Sequence, residues 1–170
     1  MDGIHREKVR QPRMFNRLTG PEQLIVWSFR RWLTGWARQD ANEWSLVQNV
    51  FSREFGVADG KAALAQLARL VNTLYLNACR TLQYHQPCCP CLGADEAILL
   101  EVVAACQHCD GRAAYAAAAS LVGEAGCGDL MDSATALAQS MRTHGMSLPR
   151  RQAGSGETAL TYPPGSIAWH

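Results

Sequence analysis

The chain has 170 residues, 48% of them apolar, enough for one ordinary core and most readily one domain with ragged ends. Its formal charge of +1 hides an uneven distribution, +5 over residues 1–38 and −4 over the rest, so the basic end could meet an acidic partner, a membrane surface or nucleic acid. No apolar leader region follows Met1 and no run of about 18 apolar residues exists, so the expectation is a cytoplasmic protein that neither enters secretion nor spans a membrane.

Residues 1–19 read as a basic flexible arm in which Arg6, Lys8, Arg10, Arg13 and Arg17 serve solubility. Pro21 opens a first helix, 21–37, where the missing N–H costs nothing. Leu24, Ile25, Trp27, Phe29, Trp32, Leu33 and Trp36 follow at spacings of three and four, which makes this helix unusually aromatic. A second helix, 42–55, carries Trp44, Val47, Val50, Phe51 and Phe55, with Gly56 placed to close it in the left-handed conformation. Asp59 is expected to cap a long third helix, 60–84, striped by Leu64, Leu67, Leu70, Val71, Leu74 and Leu82.

After a loop rich in Cys and Pro, Asp95 and Glu96 stand in the first turn of a fourth helix, 94–109, where their charge opposes the positive helix end. Leu99, Leu100, Val103 and Cys106 form its apolar stripe. A fifth helix, 112–122, holds the alanine run 113–119 broken only by Tyr115, and a sixth, 129–143, holds Leu130, Met131, Ala134, Leu137 and Met141. Small residues let helices approach closely, so these two are expected to pack as a hairpin with Cys127 in its turn. From Ser147 the chain turns to Pro, Gly, Ser and Thr and reads as a flexible tail, 146–170. The expected fold is therefore all-α, a compact orthogonal bundle of five or six helices over residues 20–145, with Leu67, Leu70, Leu74, Leu99 and Val103 buried.

Residues able to do chemistry concentrate in His85-Gln86-Pro87-Cys88-Cys89-Pro90-Cys91 and in Cys106-Gln107-His108-Cys109. Seven cysteines is an odd number, and in a reducing compartment thiols are free, metal-bound or buried rather than paired in disulfides. Cys89 and Cys91 with Cys106 and Cys109 imitate a zinc or iron-sulfur set. A helix over 94–108 would hold the pairs on the order of 20 Å apart, however, at about 1.5 Å per residue, while thiolates on one zinc lie within about 4 Å of each other. The more permissive metal set is Cys79 with Cys88, Cys89 and Cys91, for zinc or an iron-sulfur cluster, although it lacks paired C-x-x-C spacing. Free or structural thiols, redox switching near the positive end of the fourth helix and haem sensing at Cys89-Pro90 are the other readings. Cys106 and Cys109 share one face of a helix end and read as small packed thiols.

His85, His108 and His144 are candidate bases, but none stands in a nucleophile motif, and no G-x-S-x-G, H-E-x-x-H or phosphate-cradling loop occurs. No catalytic residue is assigned, and the acidic residues read as solvated helix surface. The second and third helices, joined at Phe55-Gly56-Val57, have the outline of a helix-turn-helix, yet the reading helix would carry only Lys61, Arg69 and Arg80. The basic arm and the Arg30-Arg31 pair keep DNA binding as an alternative.

The run LIVWSFRRWL, Leu24 to Leu33, and the segment HQPCCPCLGADEAILLEVVAACQ that ends at Gln107 resemble small uncharacterised helical proteins of alphaproteobacteria. Those proteins share a Cys/Pro loop before a helix that starts with acidic residues. The resemblance spans roughly residues 20 to 125, implies bacterial origin and carries no activity over to any residue. The function expected from the sequence is a cytoplasmic, non-enzymatic regulatory or interaction protein. It would meet a protein partner or a second copy through Trp27, Arg30, Arg31, Trp32 and Trp36, since exposed aromatic clusters tend to become interfaces. The rival is a metal- or redox-sensing module on Cys79 and Cys88 to Cys91.

Overall fold

Glu22 begins the first helix. Its carboxylate accepts hydrogen bonds from the Thr19 N–H at 2.8 Å and the Thr19 hydroxyl at 2.9 Å, satisfying donors that a helix start leaves open. In the computed structural model, which describes residues 13–150, this α1 runs Gly20–Arg38 with Pro21 in its first turn. Asp40 accepts from the Asn42 N–H and starts α2, Ala41–Phe55. Gly56 then joins α2 directly to α3, Val57–Asn77. Its φ of 82° is positive as expected, but ψ of 162° lies outside the left-handed helical region. The chain thus turns at one residue, and α3 starts before Asp59, which is not its cap.

Further helices are α4, Ala94–Gln107, and α5, Gly111–Thr143. A short 3-10 turn, Phe15–Arg17, precedes α1. No β-strand forms among the described residues beyond an isolated bridge between Met14 and Cys91. The fold is all-α, as the apolar period implies.

Two expected elements need correction. The third helix ends at Asn77 rather than 84, so Cys79 and Leu82 stand on an irregular segment, 78–93. The cause is tertiary: Cys79 N–H bonds the Leu121 carbonyl of α5, and the N–H groups of Gln83 and His85 bond carboxylates of α4. The fifth and sixth helices meet directly at Gly123, whose φ of 69° and ψ of 176° break the helical backbone much as Gly56 separates α2 from α3, so the sixth helix begins well before the expected residue 129. Cys127 is accordingly a buried helical residue rather than a turn residue.

α4 and α3 both pack along α5, and α2 lies on α3. Leu67, Leu70, Leu74, Leu99 and Val103 are all buried as expected, together with Leu100, Leu121, Leu130 and Leu137. Each such leucine contributes about 1.5–3 kcal/mol by leaving water. Gly60 lets α2 and α3 meet, since a Cβ there would stand 2.8 Å from the Phe51 carbonyl oxygen.

Packing extends past 20–145 at both ends. Phe15 and Leu18 lie against the core, and Leu148 is buried, its N–H donating to the Gln107 side chain at 2.7 Å. The rest of the basic arm, with Arg6, Lys8 and Arg10, and the tail from residue 151, with Pro163-Pro164-Gly165, lie outside the described residues.

Candidate functional site

The buried stripe of α1 is Glu22, Ile25, Val26, Phe29, Arg30 and Leu33, spaced as one helical face requires. Arg30 belongs to that stripe and is 0% exposed. Nε and Nη2 donate to the two oxygens of Glu96 at 2.7 and 2.8 Å. Nη1 donates to the carbonyls of Cys89 at 2.7 Å and Gln86 at 3.4 Å, and Nη2 to that of Cys91. All five guanidinium N–H groups are thereby used, which is how a buried arginine avoids an unpaid desolvation penalty. The Phe15 ring closes over it at 5.4 Å.

Glu96 is as fully engaged. Beyond Arg30 it accepts from the His85 N–H at 3.0 Å and from the Gly93 N–H at 2.6 Å, the second of these being the backward half of a capping box. Its neighbour Asp95 is also buried and receives both Arg80 Nη atoms and the Gln83 N–H. The carboxylate beside it raises the Arg80 pKa above its ordinary value, chiefly through that hydrogen bond and against some desolvation. Asp95 and Glu96 are therefore not surface residues. They organise the segment between α3 and α4 from below.

That segment is pinned from outside as well. Phe15 N–H donates to the Pro90 carbonyl at 2.7 Å, and Leu92 N–H to the Arg13 carbonyl at 3.0 Å. Cys89 N–H closes a turn onto Gln86 O, with Pro87 at the position where its fixed φ suits such a turn. The Cys/Pro loop has no helix or strand of its own, yet almost every residue from 89 to 93 has a backbone tie.

The cysteines divide into separate environments. Cys79 is exposed and its thiol donates to the Leu121 carbonyl at 3.4 Å. Cys88 is exposed, while Cys89 and Cys91 are half-buried. Burial raises the Cys91 pKa first, then the charge and hydrogen bond of Cys89, while Arg30 lowers it. Cys106, half-buried against Met131, and Cys127, buried in α5, are both raised mainly by desolvation. Among the described residues no three His, Cys, Asp or Glu side chains gather in a group fit to hold a metal ion. Cys79, Cys88, Cys89 and Cys91 are thus not brought together in that way.

Two of the three candidate bases are tied into the fold through their rings: His108 contacts the Leu148 carbonyl at 2.8 Å, and His144 joins Ser140 O, Asp59 and the Phe55 ring at the α3–α5 corner. His85 holds the loop through its backbone N–H.

On the other side of the same segment lies a half-open cleft of about 780 Å³. Leu33 and Trp36 of α1, Tyr75 and Leu76 of α3, and Leu82 and Tyr84 of the loop supply its apolar walls, with Asn72, Arg80 and Thr81 as polar points. Its size is that of an ordinary ligand or side-chain-binding site. Trp36 and Tyr75 pack at 5.5 Å, and Tyr84 meets Phe29 edge-on at 6.0 Å. Tyr75 and Leu76 remain 49% and 78% exposed, so apolar surface runs out of the cleft onto α3.

Of the expected interaction residues, Trp36 reaches this cleft. Trp32 packs against Trp44 at 6.2 Å, and Trp27 lies under the Arg31 guanidinium at 4.9 Å. Arg31 is paired with Glu43 at 2.6 Å. Arg30 must be withdrawn as a surface contact because it is buried, and the Arg30-Arg31 pair consequently presents no double cation to DNA. Tyr75, Leu76 and Tyr84 were missed by the sequence reading because the cleft exists only where α1, α3 and the loop converge. Arg30 had left a signal: it falls in register with Val26 and Leu33 on an otherwise apolar face. No known protein family, curated protein or solved structure matches the chain, and no described helix is long and apolar enough to cross a membrane.

Proposed function

We propose that the protein is a non-enzymatic regulatory protein that takes an apolar segment of a protein partner into the cleft between α1, α3 and residues 78–84. The observation that carries this reading is the aromatic and aliphatic lining of the cleft, continuous with exposed Tyr75 and Leu76. Tyr and Trp anchors at a concave, partly dry surface are the composition of interface hot spots. Charge points the same way. Among the described residues that line the cleft the one cation, Arg80, is already bound by Asp95 at two nitrogens, so a phosphate or nucleic-acid backbone would have to compete with a buried carboxylate for it. No histidine among the described residues lines the cleft and the His108 and His144 rings are tied into the fold, which favours binding over catalysis.

Selection of displayed peptides against the immobilised full chain tests this. The expected result is enrichment of sequences with spaced aromatic or aliphatic residues, their binding weakened at least about tenfold by combined Tyr75→Ala and Leu76→Asp, the loss of one hot-spot contact being worth about 1–2 kcal/mol. Both positions are exposed, so the fold tolerates the change. Failure to enrich such peptides, or enrichment indifferent to the double substitution, overturns the proposal. A concentration-dependent dimer abolished by the same pair would make a second copy the partner.

The alternative, a metal- or redox-sensing module on the Cys79 and Cys88–Cys91 thiols, draws support in its redox form from the partial exposure of Cys89 and Cys91 beside exposed Cys88. Elemental analysis and thiol titration of anaerobically purified protein separate its two forms.

A further inference from the structure

The cleft is walled by three aromatic rings, Trp36, Tyr75 and Tyr84, and its apolar surface continues over exposed Leu76. Leu148, the last buried residue of the described chain, is fixed to the C-terminal end of α4 by Gln107 and His108. The cleft residue Arg80 is fixed to the N-terminal end of the same helix by Asp95. At about 1.5 Å per residue, α4 sets these two anchor points about 18 Å apart along its axis. A path of about 25–30 Å over the surface takes about eight or nine extended residues at about 3.3 Å each, so chain leaving Leu148 arrives at the cleft close to Glu157. Composition changes at the same point. From Pro149 to Ala159 the apolar side chains are that proline and two alanines, whereas Leu160, Tyr162, Ile167 and Trp169 follow within the next ten positions, with Pro163-Pro164 among them. Consecutive prolines favour extended backbone at little entropic cost, and segments of that kind dock in grooves lined by aromatic rings.

We propose that residues 160–169 of this chain occupy the cleft in cis, with Tyr162-Pro163-Pro164 against the rings of Trp36, Tyr75 and Tyr84, so that a partner segment binds only by displacing them. This rests on the reading of the cleft as a groove for an apolar segment and supplies its regulation. Charge agrees with the occupant. Leu160 to Trp169 contains no charged residue, and the one cation among the described residues lining the cleft, Arg80, is already neutralised by Asp95. The polar stretch 149–159 acts as the tether, and a tether of that length gives an effective concentration on the order of 1 mM. A segment with an intrinsic dissociation constant of about 0.1 mM is then seated in about nine chains out of ten, which weakens a competing peptide about tenfold. Occupancy is therefore high enough to exclude weak competitors and low enough for a strong partner to replace it.

The test uses the full chain with p-benzoylphenylalanine in place of Trp169, irradiated at a series of dilutions, its cross-links mapped by peptide mass spectrometry. The expected result is intrachain cross-links to Trp36 and residues 72–84, with a yield unchanged over about a hundredfold dilution. Combined Tyr75→Ala and Leu76→Asp should lower that yield about tenfold. Cross-links scattered over other surfaces overturn the proposal, and so do cross-links between chains that fade on dilution, which would make a second copy the occupant. In parallel, Tyr162→Ser with Trp169→Ser should tighten the binding of a peptide enriched on the unaltered chain by about tenfold; an unchanged affinity counts against the tail. The two readings fail separately. Intrachain cross-links without any enriched peptide would remove the partner and keep the tail in the cleft, whereas enriched peptides bound equally by both chains would keep the partner and remove the tail.

Discussion

The α3–α4–α5 half of the molecule and the α1–loop half are equally dry and are held by opposite means. In the first, Leu67, Leu70, Leu99, Leu100, Leu121 and Leu130 meet with no polar partner required, and burial does not depend on direction. In the second, Arg30, Glu96 and Asp95 are buried at 0–2% exposure and are stable there only because each donor and acceptor is aimed. An apolar core tolerates a change of shape. A saturated ionic network does not tolerate the loss of one member, and that is the half that carries the Cys/Pro loop and one wall of the cleft.

The sharpest way to break the contrast is to remove one charge at a time. Arg30→Met or Glu96→Ala leaves the other ion buried and unpaired, and should cost about 3–5 kcal/mol, measured by urea unfolding, with earlier hydrogen exchange across 80–93. Arg30→Met combined with Glu96→Met should recover only part of that loss, because the carbonyls of Gln86, Cys89 and Cys91 and the N–H groups of His85 and Gly93 lose their partners as well. If both single substitutions cost less than a core methyl group, the network is not what holds the loop.

In the apolar half, Leu100→Ala should cost about 2–5 kcal/mol through lost transfer energy and a cavity, with exchange in 80–93 faster only in proportion to global stability. Gly60→Ala follows at about 1–3 kcal/mol, because its Cβ would press on the Phe51 backbone; thermal melting reads it directly.

The smallest effect is one of pH. Cys106 has its pKa raised by burial, so the folded state keeps a proton that the unfolded chain releases first. Its contribution is fully present below the ordinary thiol range and is lost as pH rises through and above it. Cys106→Ala should therefore flatten the alkaline fall in stability without changing the neutral value by more than about 1 kcal/mol. A variant that falls as steeply as the unaltered chain would remove Cys106 from the account.

How much was legible differs between the halves for the same reason. The period-3.6 stripes placed α1, α2 and α4 within a residue or two and named five core residues correctly, because burial of one helix face is written in spacing alone. The stripe through Leu74 was extended to Leu82, since an apolar residue on a pinned loop looks locally like one more helical turn. Asp95 and Glu96 were read as helix-start charges facing water; they do start the helix, but nothing local reveals that Arg80 and Arg30 cover them. Trp36 was a correct element of the cleft, and Trp27 and Trp32 were distinguishable from it only after their neighbours were in place.

What the sequence by itself determined is the helical class, the opening of α1 at Pro21, the placing of α2 by its apolar spacing, and the leucine core, all of which depend on residues within a few positions of each other. Tertiary structure alone decided where α3 stops, that the fifth and sixth expected helices meet at Gly123 with no loop between them, and that a guanidinium from α1 gathers Cys89, Cys91 and Glu96 across some sixty residues of chain. Local spacing encodes which face avoids water. Which buried charge finds which partner depends on the whole chain closing around both.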